Sequence, residues 1–209
     1  MRLVLVRHGR TTANAARVLD SRPPGAPLDE LGRAQADRLA ARLADHPVRA
    51  VHASHAIRAQ QTAAPVAAAH GLDVEVLDGV QEVFVGDLEG RSDEPALEEF
   101  HEVYAAWWRG ELDAHLPGGE SALDLRARFL PVVDRLAANG DGDGDVVVVS
   151  HGAAIRMAAG ALLGDTTETW YVPNTGLVVL RREPDGWVLE SWDTAEPVVG
   201  DVTAGGPPE

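Results

Sequence analysis

The sequence predicts an α/β fold, a three-layer sandwich in which a mostly parallel central sheet carries helices on both faces. Apolar runs of strand length alternate with alanine-rich stretches of helical periodicity, which is typical of parallel strands joined by crossover helices. The runs at 2–6 (RLVLV) and 145–150 (DVVVVS) are nearly continuous in branched apolar residues, as in strands buried on both faces. With 209 residues, the chain has the length of a single domain, 1–209, with a sizeable core.

The individual elements follow in order from these patterns. We expect strands at 2–6, 48–53, 74–77 and 145–150, and a closing hairpin of 176–182 and 187–192. We expect helices at 28–43, 56–69, 121–138 and 153–163. Asp29 is a candidate N-cap of the first helix, and the second helix is expected to end before Gly71. Residues 200–209 are expected to form a loose tail.

The segment 91–119 interrupts this alternation and is predicted to be a small helical cap insertion. It is rich in acidic and aromatic residues. Four apolar residues fall on one face of its helical pattern, namely Leu97, Phe100, Tyr104 and Trp107. The pattern favours packing of this stripe against the body of the protein. Contact with a substrate is the alternative, and one cap can do both.

Composition and charge narrow the classes of partner. The formal net charge is −15, with 18 basic and 33 acidic residues, which disfavours nucleic acids and anionic membranes as partners. The chain has no cysteine, so disulfides and thiolate metal sites are excluded. The first residues lack the pattern of a signal peptide, and no apolar run reaches membrane-spanning length. We therefore expect a cytoplasmic protein.

Basic and imidazole side chains follow the strands at the edge of the sheet where ligands of α/β proteins bind. His8 and His151 each follow an apolar run and precede a glycine, which permits close approach of the backbone. Arg7 precedes the first histidine, and Arg58 opens the helix after the second strand. The loop after the third strand adds acids to the same side, namely Glu82, Asp87 and Glu89. Each residue alone would be read as structural or solvated. Together they predict a cationic pocket for an anion, since the arginine fork suits phosphate oxygens.

Three other kinds of site are weaker interpretations. The histidines with Glu82 form a conceivable metal-ligand set, but two nearby arginines would repel a divalent cation, so we expect no metal and no cofactor. The run DGDGD at 141–145 is similar to part of a calcium loop but lacks the acid that closes a twelve-residue loop. No serine lies in a GxSxG elbow, which disfavours a Ser-His-Asp triad.

The motifs resemble those of the histidine phosphatase superfamily, the phosphoglycerate mutase-like fold. The residues RHGRTTAN fit its signature RHGxTxxN. Further segments that resemble the family follow in family order: PLDELGRAQA at 27–36, SHAIRAQQTA at 54–63, QEVFVGDLEG at 81–90, PGGES at 117–121 and VVVVSHG at 146–152. The resemblance therefore extends from the first strand to about residue 152.

The resemblance implies a role for each matching residue. His8 is implied as the nucleophile that becomes phosphohistidine, and Glu82 as the proton donor to the leaving oxygen. The residues implied to hold the phosphate or the substrate are Arg7, Asn14, Arg58, His151 and Gly152. The implied catalytic set is Arg7, His8, Arg58, Glu82 and His151.

Three residues depart from the family's pattern. Leu88 stands where tryptophan is frequent, and Asp29 replaces a frequent threonine that it can match as a helix cap. Arg10 stands where Glu, Gln or His is common. Its charge either shifts specificity near the pocket or points to solvent, and the sequence leaves both readings open.

The resemblance implies a phosphomonoesterase of the histidine acid type that acts on small phosphorylated metabolites. A phosphoglycerate mutase that uses the same phosphohistidine without a metal is the alternative, and a non-catalytic protein that binds phosphorylated ligands is a second one. RHGxTxxN and the moderately short cap favour the phosphatase. Sugar phosphates, nucleotides and phosphoglycerate-like acids all stay open as substrates, and a homodimer stays open as the oligomeric state.

Overall fold

A sheet of six strands lies at the centre of the part of the chain that the computed structural model describes, residues 1–138, 144–165 and 167–194. The strands are β1 (Arg2–Arg7), β2 (Val48–Ala53), β3 (Val74–Val76), β4 (Asp145–Ser150), β5 (Leu177–Glu183) and β6 (Gly186–Trp192). Their order is β3-β2-β4-β1-β5-β6. The first four strands run parallel, whereas β5 is antiparallel to β1 and forms a hairpin with β6. The predicted α/β class with a mostly parallel sheet is confirmed.

Six α-helices accompany the sheet within the described residues. They are α1 (Thr12–Ala15), α2 (Glu30–Leu43), α3 (Ile57–Ala69), α4 (Glu94–Trp108), α5 (Ala122–Ala138) and α6 (Gly152–Leu163). The four helices predicted outside the cap segment are confirmed to within two residues at each end. The Asp29 side chain accepts the amide of Gly32 at 2.7 Å, so this residue caps α2 as predicted.

The apolar strands are continuous because the sheet buries both faces. In β1, Leu3 and Leu5 belong to one core cluster and Val4 and Val6 to the other, since successive side chains point to opposite faces. The first cluster includes residues of α5 and α6, and the second includes residues of α2 and α3. The sheet therefore has helices on both faces, which gives the three layers.

Helix α4 lies within the segment 91–119. Leu97 and Trp107 are buried, and Trp107 donates its indole N–H to the carbonyl of Ala114 at 2.7 Å. Phe100 and Tyr104 are partly buried against the first core cluster. The aromatic stripe therefore packs onto the body of the protein, as the sequence favours.

Asp145 lies at the end of the sheet opposite the strand ends that the sequence singles out. Its buried carboxylate accepts both Nε and Nη2 of Arg2 at 2.7 Å, and its Oδ2 lies 3.1 Å from Nδ1 of His46. This acid of the DGDGD run therefore forms an ion pair with Arg2 and contacts His46. Residues 141–143 of that run lie outside the described residues, as does the predicted tail 200–209.

Candidate active site

The two histidines lie side by side at the carboxyl ends of neighbouring parallel strands. His8 follows β1 and His151 follows β4. The amide of His8 donates to the carbonyl of Ser150 at 3.0 Å, which joins the loop after β1 to the end of β4. The centroids of the two imidazole rings are 5.1 Å apart, and both residues are buried. The topology thus brings together the two strand ends that the sequence singles out.

The hydrogen bonds of His8 determine which ring nitrogen carries the proton. Nδ1 lies 2.7 Å from the carbonyl oxygen of Gly9, and because a carbonyl can only accept, Nδ1 is the donor. The opposite nitrogen, Nε2, accepts the Nε–H of Arg58 at 3.1 Å. Burial, together with the charges of Arg58 and Arg7, lowers the pKa of His8 well below its ordinary value of 6.5. The ring is therefore neutral near pH 7, with its lone pair on Nε2.

Arg58 is buried beside His8 and is held by several contacts. Its guanidinium donates to Oδ2 of Asp20 at 3.1 Å and to the carbonyl of Asp20 at 2.9 Å. Thr62, one turn further along α3, accepts the amide of Gly9 at 2.9 Å and donates to the carbonyl of Arg58 at 2.7 Å. The start of α3 is thus bound to the loop that carries His8.

His151 is held through one ring nitrogen and leaves the other without a partner. Its Nε2 lies 2.7 Å from Oγ of Ser54, whereas Nδ1 is buried and has no hydrogen-bond partner within the described residues. Burial, together with the charge of Arg58, lowers the pKa of His151 well below 6.5, so this ring is also neutral near pH 7. Gly152 lies against Arg7, because a Cβ at this glycine would be 3.4 Å from Nε of the arginine.

Arg7 is oriented by a segment that lies just before β5. Its Nη1 donates to the hydroxyl of Tyr171 at 2.6 Å and to the carbonyl of Val172 at 2.9 Å. Its Nε is buried and has no hydrogen-bond partner within the described residues. One side of the guanidinium is therefore fixed by the segment before β5.

Glu82 occupies the N-terminus of α6, the helix that follows His151. Its Oε1 accepts the amides of Val83 and Ala154, both at 2.9 Å, and its Oε2 accepts the amide of Ala153 at 3.3 Å. Helix N-termini favour negatively charged groups, so this position suits a carboxylate. The loop after β3 thus carries the acid to the edge of the sheet where the histidines lie.

The predicted site residues Arg7, His8, Arg58 and Glu82 line a cavity of about 450 Å³, whereas His151 and Gly152 lie behind this lining. Its charged and imidazole lining residues are Arg7, His8, Arg10, Arg17, Asp20, Arg58, Glu82 and His101. Its apolar lining residues include Val18, Leu19, Val83, Val85, Leu97 and Phe100. Leu97 and Phe100 of the α4 stripe therefore also form part of one wall of the cavity, and contact of the stripe with a substrate stays a prediction.

The remaining residues of the predicted site have definite positions. Asn14 lines the cavity, and its Oδ1 accepts the amide of Thr11 at 3.1 Å, so its amino group is the part able to donate to a ligand. Arg10 also lines the cavity, and its Nε pairs with Asp29 at 2.7 Å. The charge of Arg10 is therefore near the pocket and partly balanced. Of the three acids after β3, only Glu82 lines this cavity.

The two other acids after β3 serve the surrounding loops. Glu89 accepts the amide of Ser21 at 2.9 Å and that of Arg22 at 3.1 Å, and it also bonds the Ser21 hydroxyl. Asp87 lies at the short 3-10 turn Gly86–Leu88, and its amide donates to the carbonyl of Pro117 at 2.8 Å.

Sequence reasoning missed several residues of the site. Asp20, Ser54 and Thr62 bond the predicted residues, and Tyr171 bonds Arg7. Asn174 donates its side-chain amide to the carbonyl of His8 at 2.8 Å. Tyr171 and Asn174 fall in 164–175, a stretch without helix or strand periodicity. The one local sign of a functional segment is that aromatic residues stand just before the turn sequence PNTG.

Neither a metal cluster nor a membrane span is evident in the described residues. No group of three or more histidine, aspartate or glutamate side chains there is arranged to hold a metal ion. None of the helices in the described ranges is both long and apolar enough to cross a bilayer.

Comparison with known proteins places these features in a family. The family model described as histidine phosphatase superfamily (branch 1) matches residues 3–195. A metal-independent phosphoserine phosphatase of Arabidopsis thaliana is 32% identical over 91% of this chain and 80% of its own. A probable phosphoglycerate mutase of Yersinia pestis is 31% identical over 93% of this chain and 94% of its own.

The solved structures agree with the sequence relatives. A mycobacterial glucosyl-3-phosphoglycerate phosphatase, solved in complex with VO3, superposes with a TM-score of 0.80 at 29% identity, and the match covers 93% of this chain and 99% of that one.

The chain also spans 35% of the length of a PE-PGRS family protein of Mycobacterium tuberculosis, at 32% identity over 90% of this chain.

Proposed function

This chain belongs to branch 1 of the histidine phosphatase superfamily, and we propose that it hydrolyses small phosphate monoesters through a phosphohistidine on His8. The observation that carries the proposal is the state of His8, a neutral imidazole whose lone pair is on Nε2 beside a buried arginine. A neutral imidazole nitrogen is a competent nucleophile. The phosphatases among the relatives support the reaction class.

The first chemical step forms the bond between Nε2 of His8 and phosphorus and breaks the ester P–O bond. Before attack, the incoming phosphate displaces Nε2 from Arg58 and accepts its N–H. The Nε–H of Arg7 and the unpartnered Nδ1 side of His151 hold the other phosphate oxygens. An alkoxide leaves poorly, so in this proposal a protonated Glu82 gives its proton to the departing oxygen. It thereby becomes the carboxylate that the amides at the start of α6 stabilise.

The second step returns the site to its starting state. The Glu82 carboxylate accepts a proton from a water molecule as that water attacks phosphorus. The P–N bond breaks, inorganic phosphate forms, and His8 recovers its lone pair on Nε2. No metal is needed in either step, because positive side chains and neutral N–H donors supply the charge stabilisation.

A phosphoglycerate mutase is the second candidate, since a relative named for that activity matches most of the chain. A mutase uses the same phosphohistidine but returns the phosphoryl group to an organic acceptor rather than to water. A non-catalytic ligand binder is disfavoured, because it has no need for a neutral His8 and an acid in one cavity.

The proposal is tested by assaying a panel of phosphate esters, with 3-phosphoglycerate mutase turnover measured in parallel. We expect the wild type to release phosphate, and His8→Ala to lose at least about 10³-fold in kcat/KM, since the nucleophile is removed. His55→Ala, which replaces a more exposed histidine near the same strand ends, is the matched control and should stay active. Hydrolysis that survives in His8→Ala contradicts the mechanism, and mutase turnover faster than hydrolysis selects the second candidate.

The cavity also favours a substrate class, a phosphate ester that carries a carboxylate. Arg17 lines the cavity and has no ion-pair partner within the described residues, whereas Arg10 and Arg58 are paired with Asp29 and Asp20. The relatives named for phosphoserine and glucosyl-3-phosphoglycerate act on esters of this kind. We propose that Arg17 binds the carboxylate.

A pair of matched esters tests the role of Arg17. 3-Phosphoglycerate and glycerol 3-phosphate differ mainly in a carboxylate that replaces a hydroxymethyl group. We expect the wild type to prefer the first in kcat/KM, and Arg17→Gln to lower that preference by about tenfold, the value of one charged hydrogen bond. Arg22→Gln, an exposed arginine of the same loop that does not line the cavity, should leave the preference unchanged. An unaltered preference in Arg17→Gln would refute this assignment.

A further inference from the structure

We propose that Arg156 is a positioning residue that sets two walls of the cavity, the aromatic wall of α4 and the segment that orients Arg7. The proposal rests on the proposed function, because it concerns the same phosphate site. Arg156 lies on α6, the helix whose N-terminus bonds Glu82. Arg156 does not line the cavity, so it acts through its neighbours.

On one side, the guanidinium of Arg156 is bound to the aromatic residues of α4. Its Cζ lies 3.9 Å from the centroid of the Trp108 ring, a close cation–π contact. Its Nη1 donates to the hydroxyl of Tyr104 at 3.3 Å. Tyr104 stacks on Phe100 with ring centroids 5.6 Å apart and planes 15° apart, and Phe100 lines the cavity. Arg156 thereby sets the position of the cavity wall through one intervening ring.

On the other side, the same guanidinium is bound to the segment before β5. Its Nη2 donates to the carbonyl of Thr169 at 3.0 Å. Two residues further on, the hydroxyl of Tyr171 accepts a hydrogen bond from Nη1 of Arg7 at 2.6 Å. The carbonyl of Val172, the following residue, accepts from the same Nη1. A shift of Thr169 would move both acceptors and release the fixed side of Arg7.

The chemistry of the arginine fork explains why one residue can hold both walls. The planar guanidinium offers separate donors to the two segments while its face stacks on an indole. Its third nitrogen, Nε, is buried and has no hydrogen-bond partner within the described residues. The contacts with the two walls therefore hold the guanidinium in a position where its Nε–H has no acceptor in the described ranges. Lysine has the charge but neither the fork nor the flat face.

A purely structural role for Arg156 makes a different prediction from a positioning role. A structural residue would lower the melting temperature without changing the affinity of the folded protein for a phosphate analogue. A positioning residue lowers that affinity, and its effect overlaps with that of Tyr171, because both act on Arg7. Non-additivity between the two substitutions therefore separates the two roles.

The experiment measures orthovanadate binding by calorimetry in a double-mutant cycle of Arg156→Gln and Tyr171→Phe. We expect Arg156→Gln to weaken binding by about tenfold, since a small displacement of a binding group has a large effect. We expect the double variant to bind about as weakly as the weaker single variant. Arg156→Lys should weaken binding to an intermediate extent, and it keeps the test open if Arg156→Gln fails to fold.

Arg126→Gln is the matched control. Arg126 donates to the carbonyl of Met157 in α6 at 3.3 Å and pairs with Asp165 at 2.8 Å. Asp165 is four residues before Thr169, so this ion pair lies at the far end of the segment from the groups that hold Arg7. We expect a lower melting temperature and unchanged vanadate binding. Wild-type binding in a folded Arg156→Gln, or effects of Arg156 and Tyr171 that simply multiply, would overturn the proposal. Vanadate binding without ester hydrolysis would contradict the proposed function alone, and a wild type that binds no vanadate would contradict both.

Discussion

At the scale of single residues, burial determines the chemistry of the two histidines. Both are shielded from water and lie near Arg58, and these two causes lower the pKa of His8 and of His151 well below 6.5. The contact from Arg58 also selects Nε2 of His8 as the acceptor nitrogen. The sequence predicts the histidine but not its tautomer, because the tautomer depends on Gly9 and Arg58 in three dimensions.

The lowered pKa values predict how stability changes with pH. Below about pH 6.5 the unfolded chain binds a proton at each histidine and the folded chain does not, so the free energy of unfolding falls as the pH falls through that range. The loss grows as the pH falls further below 6.5, and His8 and His151 both contribute to it. Urea unfolding between pH 7.5 and 5.5 measures it. We expect a smaller loss in His8→Asn and the full loss in the His55→Asn control; the same pH dependence in all three proteins would count against the neutral, buried state of His8.

At the scale of elements, the start of α2 packs directly on the loop that carries His8. A Cβ at Gly32 would lie 1.9 Å from the carbonyl oxygen of Arg10. A Cβ at Gly9 would lie 2.6 Å from the carbonyl oxygen of Gly32. Asp29 caps the helix and pairs with Arg10 in the same place. The sequence predicts this helix and its cap from local patterns. It does not predict the contact, since a glycine near a helix start has many local explanations.

This packing predicts that Gly32→Ala lowers the free energy of unfolding, which is the reverse of the usual effect of this substitution in a helix. Alanine in place of glycine within a helix ordinarily stabilises by about 1 kcal/mol. At this position we expect destabilisation of about 2 kcal/mol or more, because the backbone of the loop that carries His8 must shift. Gly160→Ala in α6 is the control, since its Cβ would meet only ordinary contacts at 3.6 Å or more, and it should be neutral or stabilising. Chemical denaturation measures both, and a stabilised Gly32→Ala would disprove the close approach.

At the scale of the whole molecule, an acidic protein concentrates cationic groups at one edge of its sheet. The net charge of −15 repels anions weakly at a distance, and the arginines act within the cavity, where screening by water is smaller. The alternation of strands and helices made this edge predictable, because parallel strands place their carboxyl ends together. The strand-end residues Arg7, His8 and His151 were therefore predictable as a group.

The parts that sequence reasoning missed depend on how distant segments meet. Tyr171 and Asn174 belong to an irregular segment that returns to the ends of β1 only because β5 pairs antiparallel with that strand. The aromatic stripe of α4 was predictable as a face, but only the fold shows that Phe100 both packs and lines the cavity. Residues far apart in sequence carry no local sign of such contacts.

Trapping the phosphoryl group in Glu82→Gln with p-nitrophenyl phosphate tests the proposed phosphohistidine on His8. The nitrophenolate leaves without a donated proton, whereas in the proposed mechanism water attack on the intermediate needs the Glu82 base. The phosphoenzyme should therefore accumulate. Quenching at alkaline pH preserves the P–N bond for peptide mapping by mass spectrometry. We expect one phosphoryl group on His8, absent when His8→Ala is added. A phosphoryl group on another residue, or steady hydrolysis with no phosphoenzyme, would contradict the proposed phosphohistidine.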